Sequence, residues 1–103
     1  MLKEIAESSG TSSQIEWAIA IKGRVAVEFD RVEAAFRAVA GNQDGCRRAR
    51  TEAILAILEE KRATVMANDQ ARYFIRDWQE IGDQVRQMIF KDVRYQATNG
   101  PGM

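Results

Sequence analysis

Three carboxylates recur at intervals of three residues in Asp77-x-x-Glu80-x-x-Asp83. On a helix, residues three apart share a face, so Asp77 would lie near Glu80 and Glu80 near Asp83. Mg²⁺ prefers carboxylate oxygens, and this set, joined by acids of another helix, would suit phosphate hydrolysis without any histidine. Arg76 and Arg86 would instead pair with these acids at an ordinary solvated surface. We expect the solvated surface, with no metal and no cofactor, and keep an Mg²⁺-dependent phosphate hydrolase as the alternative function.

The densest basic cluster consists of Arg47, Arg48 and Arg50. At the start of a helix, such side chains together with free backbone N–H groups can contact phosphate. Asp44 and Glu52 flank the cluster, however, and the chain balances 15 Lys and Arg against 15 Asp and Glu. A chain of zero net charge has no long-range attraction for a polyanion. Nucleic-acid binding is therefore a second alternative, and we do not expect it.

The remaining composition removes most other catalytic chemistry. The chain has no histidine, which excludes Ser/His and Cys/His dyads and most transition-metal sites. Its single cysteine, Cys46, cannot form a disulfide within the chain, and we expect it to be incidental. The first residues carry acids where a signal peptide has a cationic start, and no apolar stretch reaches the ~20 residues that span a bilayer. We therefore predict no catalytic residues, a cytoplasmic location and no membrane partner.

A chain of 103 residues, 46% of them apolar, suits one small domain. Residues 1–13 are predicted to form a short leader and a flexible link, because positions 8–14 are small and polar. Residues 98–103 contain the only proline and are expected to form a disordered tail. A single helical domain is therefore predicted at 14–97, with its clearest internal break at Gly41–Gly45.

The C-terminal segment has the clearest helical period. Its apolar residues fall at alternating spacings of four and three, interrupted once: Phe74, Trp78, Ile81, Val85, Met88 and Tyr95. This spacing predicts one amphipathic helix over 69–96, with a seam like that of a coiled coil. Asn68 and Asp69 are poor helix formers and predict a turn before it. Without that turn, residues 46–96 would form one continuous rod.

The middle segment, 45–67, is also predicted to be a helix. Four apolar residues define its buried face: Ile54, Ile57, Leu58 and Val65. Asp44 or Asn42 would cap its N-terminus, since Asp and Asn are preferred at that position.

The first segment admits two interpretations. At a period of two, large apolar residues occupy nearly every odd position from 15 to 29, which is typical of a strand. This pattern describes a β-hairpin over 15–29 that turns at Lys22-Gly23-Arg24. Asp30 and Glu33 would then form a capping box that opens a short helix.

The same segment also fits a helix over 14–40, opened by a capping box at Ser13 and Glu16. Its seam, which Lys22 interrupts, comprises Ile15, Ala18, Val25, Phe29, Val32, Phe36 and Val39. Alanines are poor strand residues, and a lone two-stranded hairpin is marginal in water. We favour the helix. Lys22 would either extend its ammonium group to the surface or set the register of the packing.

Trp17, Ile21 and Val27 lie off this helical seam. Three helices in one chain do not readily bury them, whereas a second subunit would. Tryptophan is enriched as an anchor in protein interfaces, so these three residues are the interface candidates. On the hairpin interpretation, Trp17 would instead belong to the core of a sheet.

These observations predict an all-α fold, an antiparallel bundle of three helices at 14–40, 45–67 and 69–96. The predicted function is non-enzymatic: a small interaction module, such as an adaptor, a chaperone-like partner or an assembly subunit. The expected partners are a second copy, giving a homodimer, and another protein.

Overall fold

The computed structural model describes residues 5–98, and this part of the chain is helical with no strand. A short 3₁₀ turn, Glu7–Ser9, precedes five α-helices. These are α1 (Ser12–Gly41), α2 (Gly45–Met66), α3 (Ala71–Asp77), α4 (Ile81–Phe90) and α5 (Val93–Thr98). The all-α prediction is confirmed. The alternative hairpin over 15–29 is wrong, because these residues lie within α1.

Helix α1 begins two residues earlier than its predicted capping box. The side chain of Thr11 accepts a hydrogen bond from the Gln14 N–H at 3.2 Å, and the Gln14 side chain accepts one from the Thr11 N–H at 2.9 Å. Thr11 and Gln14 therefore form the capping box, and not Ser13 and Glu16. Both pairs have the spacing of a capping box, Ser or Thr followed three residues later by Glu or Gln. In the structure, the earlier pair makes the hydrogen bonds to the backbone N–H groups of the first turn.

Helix α2 packs along α1 after a tight turn at 42–44. Gly45, its first residue, has a φ of 58°, a left-handed conformation that glycine adopts without strain. The helix ends at Met66, so α2 and α3 are separate, as Asn68 and Asp69 predict. A continuous rod over 46–96 is excluded.

The predicted third helix, 69–96, is instead three short helices, and the three-helix bundle is not confirmed. The first break falls at 78–80. There the Trp78 ring is buried, with its centroid 6.3 Å from that of Phe29 in α1. The Gln84 side chain bridges the break: it donates to the Asp77 carbonyl and accepts from the Glu80 N–H at 2.9 Å. These bonds replace the helical bonds that the break removes.

A second break, at 91–92, separates α4 from α5. Despite both breaks, the predicted seam still faces the core. Phe74, Trp78 and Val85 are buried, and the other members are packed against the core: Ile81, Met88 and Tyr95. The apolar period therefore records which residues are buried, although it does not record that the helix is interrupted.

Residues 5–10 pack against the turn between α2 and α3. Ile5 is buried in the core, and the Ala6 N–H donates to the Asp69 carbonyl at 2.7 Å. The Ser9 hydroxyl accepts from the Ala71 N–H at 3.1 Å, at the first residue of α3. Part of the stretch that we expected to be a leader and link thus has defined contacts. Of the tail expected at 98–103, residue 98 is the last residue of the helix Val93–Thr98, and residues 99–103 lie outside the described residues.

Helix α1 is the central element of the core. It packs against the 3₁₀ turn, α2, α3 and α4, while α5 packs against α2 and α4. The largest fully buried side chains come from α1, α2, α3 and α4: Val25, Phe29, Leu58, Val65, Phe74, Val85 and Ile89. All of these neighbours contact one side of α1, which leaves its opposite side in solvent.

Candidate interaction surface

The side of α1 that faces away from the core carries exposed apolar and small residues. We call it the outer face of α1, and it comprises Trp17, Ala20, Gly23, Val27, Ala34 and Ala38. The Trp17 side chain is 58% exposed and that of Val27 is 66% exposed. Spacings of three, four and seven residues place all six on one side of a helix. The two large apolar residues therefore contribute little to the core of this chain.

Ile21, the third interface candidate, does not belong to this face. It is 8% exposed and packs in the core with Ala18 and Val25. The predicted bundle gives α1 two neighbouring helices, whereas α1 packs against three, α2, α3 and α4. The buried stripe of α1 is correspondingly wider and takes in Ile21.

A groove runs along the outer face where α1 meets the start of α4. It has a volume of about 600 Å³ and is lined by Gly23 and Val27 of α1 and by Ile81 and Gly82 of α4, among others. A Cβ built on Gly23 would meet no atom within 4 Å, so the groove is open at that position. An approaching side chain would therefore reach the α1 backbone without obstruction.

Charged residues border the outer face, and several are paired within the chain. Arg31 donates to Glu28 at 2.6 Å, a hydrogen bond that holds the pKa of the Glu28 carboxyl below its usual value. Arg37 donates to Glu33 at 2.6 Å, and its pKa is raised by that bond. Charges of both signs therefore lie around the apolar residues of the outer face and also between them, because the exposed Glu16, Arg24 and Arg31 share the same side of the helix.

Lys22 lies on the opposite, buried side of α1 and is 4% exposed. Its ammonium group donates to the carbonyl of Asn68 at 2.8 Å and lies 5.4 Å from the centre of the Phe74 ring. It does not extend to the surface. The contact fixes the turn between α2 and α3 at one position along α1, which is a register-setting role.

An ion-pair network that the sequence did not predict joins α2 to α5. Asp92 accepts from Lys61 at 3.1 Å and from Arg94 at 2.8 Å, and Arg94 also reaches Glu60 at 2.5 Å. The Asp92 side chain is 7% exposed. Hydrogen bonds from Arg94, above all, and from Lys61 hold the pKa of the Asp92 carboxyl far below its usual range. Asp92, which interrupts the apolar seam between Met88 and Tyr95, is thus the centre of this network.

The three carboxylates at 77, 80 and 83 are not brought together. Asp77 ends α3, Glu80 lies in the break, and Asp83 is in α4 beside Arg86, at 3.5 Å. All three acids are exposed. Among residues 5–98, no three acidic or cysteine side chains are placed to hold a metal ion. Residues three apart share a face only if the helix is continuous. The break at 78–80 interrupts the helix, so the three acids do not share a face.

Arg47, Arg48 and Arg50 occupy the first turns of α2, and all three are exposed. Arg48 pairs with Glu52 at 3.1 Å, one turn further along the helix. The cluster is thus an exposed helix end with one internal ion pair.

Further apolar surface lies near the C-terminal helices. Phe90 and Val93 are exposed, and a cavity of about 300 Å³ beside the first break is lined by Tyr73, Trp78 and Met88, among others. The apolar period could not have predicted this cavity, because it depends on the break in the helix.

Comparison with protein-family models, with curated proteins and with solved structures finds no match to this chain. Within residues 5–98, no helix combines the length and the apolar composition that crossing a bilayer requires.

Proposed function

We propose that this protein is a non-enzymatic interaction module that associates through the outer face of α1, first with a second copy of itself. The exposure of Trp17 and Val27, the two most exposed large apolar residues of α1, is the observation that carries the proposal. Burying large apolar side chains in an interface contributes about 1.5–3 kcal/mol each, which is the free energy available for association. Roles as an adaptor, a chaperone-like partner or an assembly subunit all need such a surface.

The form of the surface supports a helix as the occupant. α1 has 30 residues, so its outer face extends for about 45 Å. Small residues precede and follow Val27 along this face, which allows another helix to approach closely. The zero net charge of the chain means that two copies do not repel one another at long range.

Light scattering across a concentration series tests the proposal. We expect the wild type to dimerise, and we expect Trp17→Ser and Val27→Ser to shift the equilibrium toward monomer while retaining the helical circular dichroism signal. Val93→Ser is the matched control, because Val93 is 74% exposed but lies on α5. A wild type that is monomeric throughout, or a dimer that all three variants leave unchanged, would contradict the proposal.

A further inference from the structure

We infer that two copies pair antiparallel through α1, with Val27 of one copy opposite Val27 of the other. This inference deepens the proposed function and rests on it. A symmetric dimer places the same surface of each subunit against itself, so that surface must be self-complementary about a central point. The outer face of α1 has such a centre at Val27.

The position of Val27 within the helix is the first argument. Helix α1 runs from Ser12 to Gly41, and Val27 lies at its middle. An antiparallel pair centred there overlaps along the whole helix and gives the longest shared interface. Ala20 and Ala34 lie seven residues before and after Val27. Ala20 of one copy therefore lies opposite Ala34 of the other. Small residues on both sides of the centre permit close approach of the two helices.

The ends of the face are complementary in size. Trp17 lies ten residues before Val27, and Ala38 lies eleven residues after it. In the antiparallel arrangement the indole of each copy therefore lies over the small residue of the other. Tryptophan has a large apolar surface, and a facing alanine leaves room for it.

The ends are also complementary in charge. Glu16 lies eleven residues before Val27, and Arg37 lies ten residues after it on the same border of the face. Both are exposed. Arg37 donates two hydrogen bonds to Glu33 and lies 3.6 Å from Glu59 of α2, and a guanidinium group has five N–H groups, which leaves donors for a further acid. The antiparallel pair therefore forms two Glu16–Arg37 contacts between subunits.

A parallel pair in register lacks this complementarity. Each residue would meet its own copy, so Glu16 would face Glu16 and Arg37 would face Arg37. Like charges would repel at both positions, and the two Trp17 rings would compete for one space. The antiparallel arrangement removes these conflicts and opposes the two helix dipoles favourably. It brings Arg24 of one copy toward Arg31 of the other, where Arg31 is already paired with Glu28 at 2.6 Å.

Disulfide trapping in a Cys46→Ser background tests the orientation and register. We expect Val27→Cys to cross-link to itself under mild oxidation with oxidised glutathione. Ala20→Cys and Ala34→Cys should not cross-link alone, since equal positions lie about 21 Å apart along the axis, beyond the reach of a disulfide. A mixture of these two variants, one carrying a short tag, should give a linked heterodimer. Self-linked Ala20→Cys indicates a parallel pair and overturns the inference.

Charge reversal provides a second measurement. Glu16→Arg and Arg37→Glu are each expected to weaken dimerisation by about threefold to tenfold, and the double variant is expected to restore it. Glu80→Arg, an exposed acid outside α1, is the control. Light scattering on the same samples distinguishes failure of the proposed function from failure of the antiparallel register. A monomeric wild type contradicts the proposed function, whereas a dimer without the expected links or without charge rescue contradicts only the antiparallel register.

Discussion

The ammonium group of Lys22 donates a hydrogen bond of 2.8 Å to the backbone carbonyl of Asn68, 46 residues along the chain. Lys22 interrupts the apolar seam of α1, and this contact explains why a lysine occupies a buried position. The carbonyl belongs to the turn that ends α2, where helical partners are absent. Phe74 packs beneath the same ammonium group. The residue thus ties the turn between α2 and α3 to the centre of the fold.

Replacing Lys22 by methionine should destabilise the protein. Methionine keeps most of the apolar stem but removes the donor, leaving the Asn68 carbonyl without this bond. A hydrogen bond to a charged group contributes about 1.5–3 kcal/mol, so we expect a loss of that size in the free energy of unfolding. Urea unfolding measures it. Lys91→Met, at an exposed lysine, is the control, and equal stability of the two variants would refute the tethering role.

Ser9 acts as a helix cap supplied from outside the helix. Its hydroxyl accepts from the first N–H of α3, while Gln70, the residue that precedes α3, makes no capping bond with its side chain. Ser9→Ala should therefore lower the free energy of unfolding by about 0.5–2 kcal/mol, the usual cost of losing a cap. Ser8→Ala is the matched control, since Ser8 is exposed in the same 3₁₀ turn. Thermal unfolding of both variants distinguishes a cap from a passive surface serine.

The Asp92 network predicts a specific pH dependence. The folded pKa of Asp92 lies below its ordinary value of 3.8, so the unfolded chain binds a proton at higher pH than the folded chain does. The contribution of Asp92 to stability is therefore present in full above about pH 5 and declines as the pH falls through 3.8 toward the lowered folded pKa.

Asp92→Asn should remove this contribution. The stability difference between wild type and variant is expected to be largest near neutral pH and to shrink below pH ~4. Urea unfolding at a series of pH values measures it, with Asp83→Asn, at an exposed acid, as the control for the loss of one charge. A difference that stays constant from pH 7 to pH 3 would show that the ion pairs do not control the effect.

The apolar pattern and the polar breaks were sufficient to predict the long helices. Predicted limits of 14–40 and 45–67 compare with Ser12–Gly41 and Gly45–Met66. The interruption at 78–80 was not predictable, because it depends on Phe29 packing against Trp78 and on Gln84 bridging the gap. The first contact is tertiary, and the second is a local side-chain bridge that the apolar spacing does not reveal.

The candidate surface was predicted in part. Trp17 and Val27 are exposed, as their positions off the seam indicated. Residues that do not follow the apolar spacing lie on the side of the helix that faces away from the core. Ile21 is buried, since burial at the edge of a seam depends on how many helices pack there. The small residues Ala20 and Ala34 could have been found from their seven-residue spacing around Val27.

The break at Trp78 also bears on the order in which the chain folds. Helices α3, α4 and α5 have 7, 10 and 6 residues, each shorter than the roughly 12–15 residues that an isolated helix needs to persist in water. Helices α1 and α2, with 30 and 22 residues, exceed that length and are neighbours in sequence. We therefore expect the α1–α2 hairpin to form first, and the C-terminal third to become helical only as it condenses on that template.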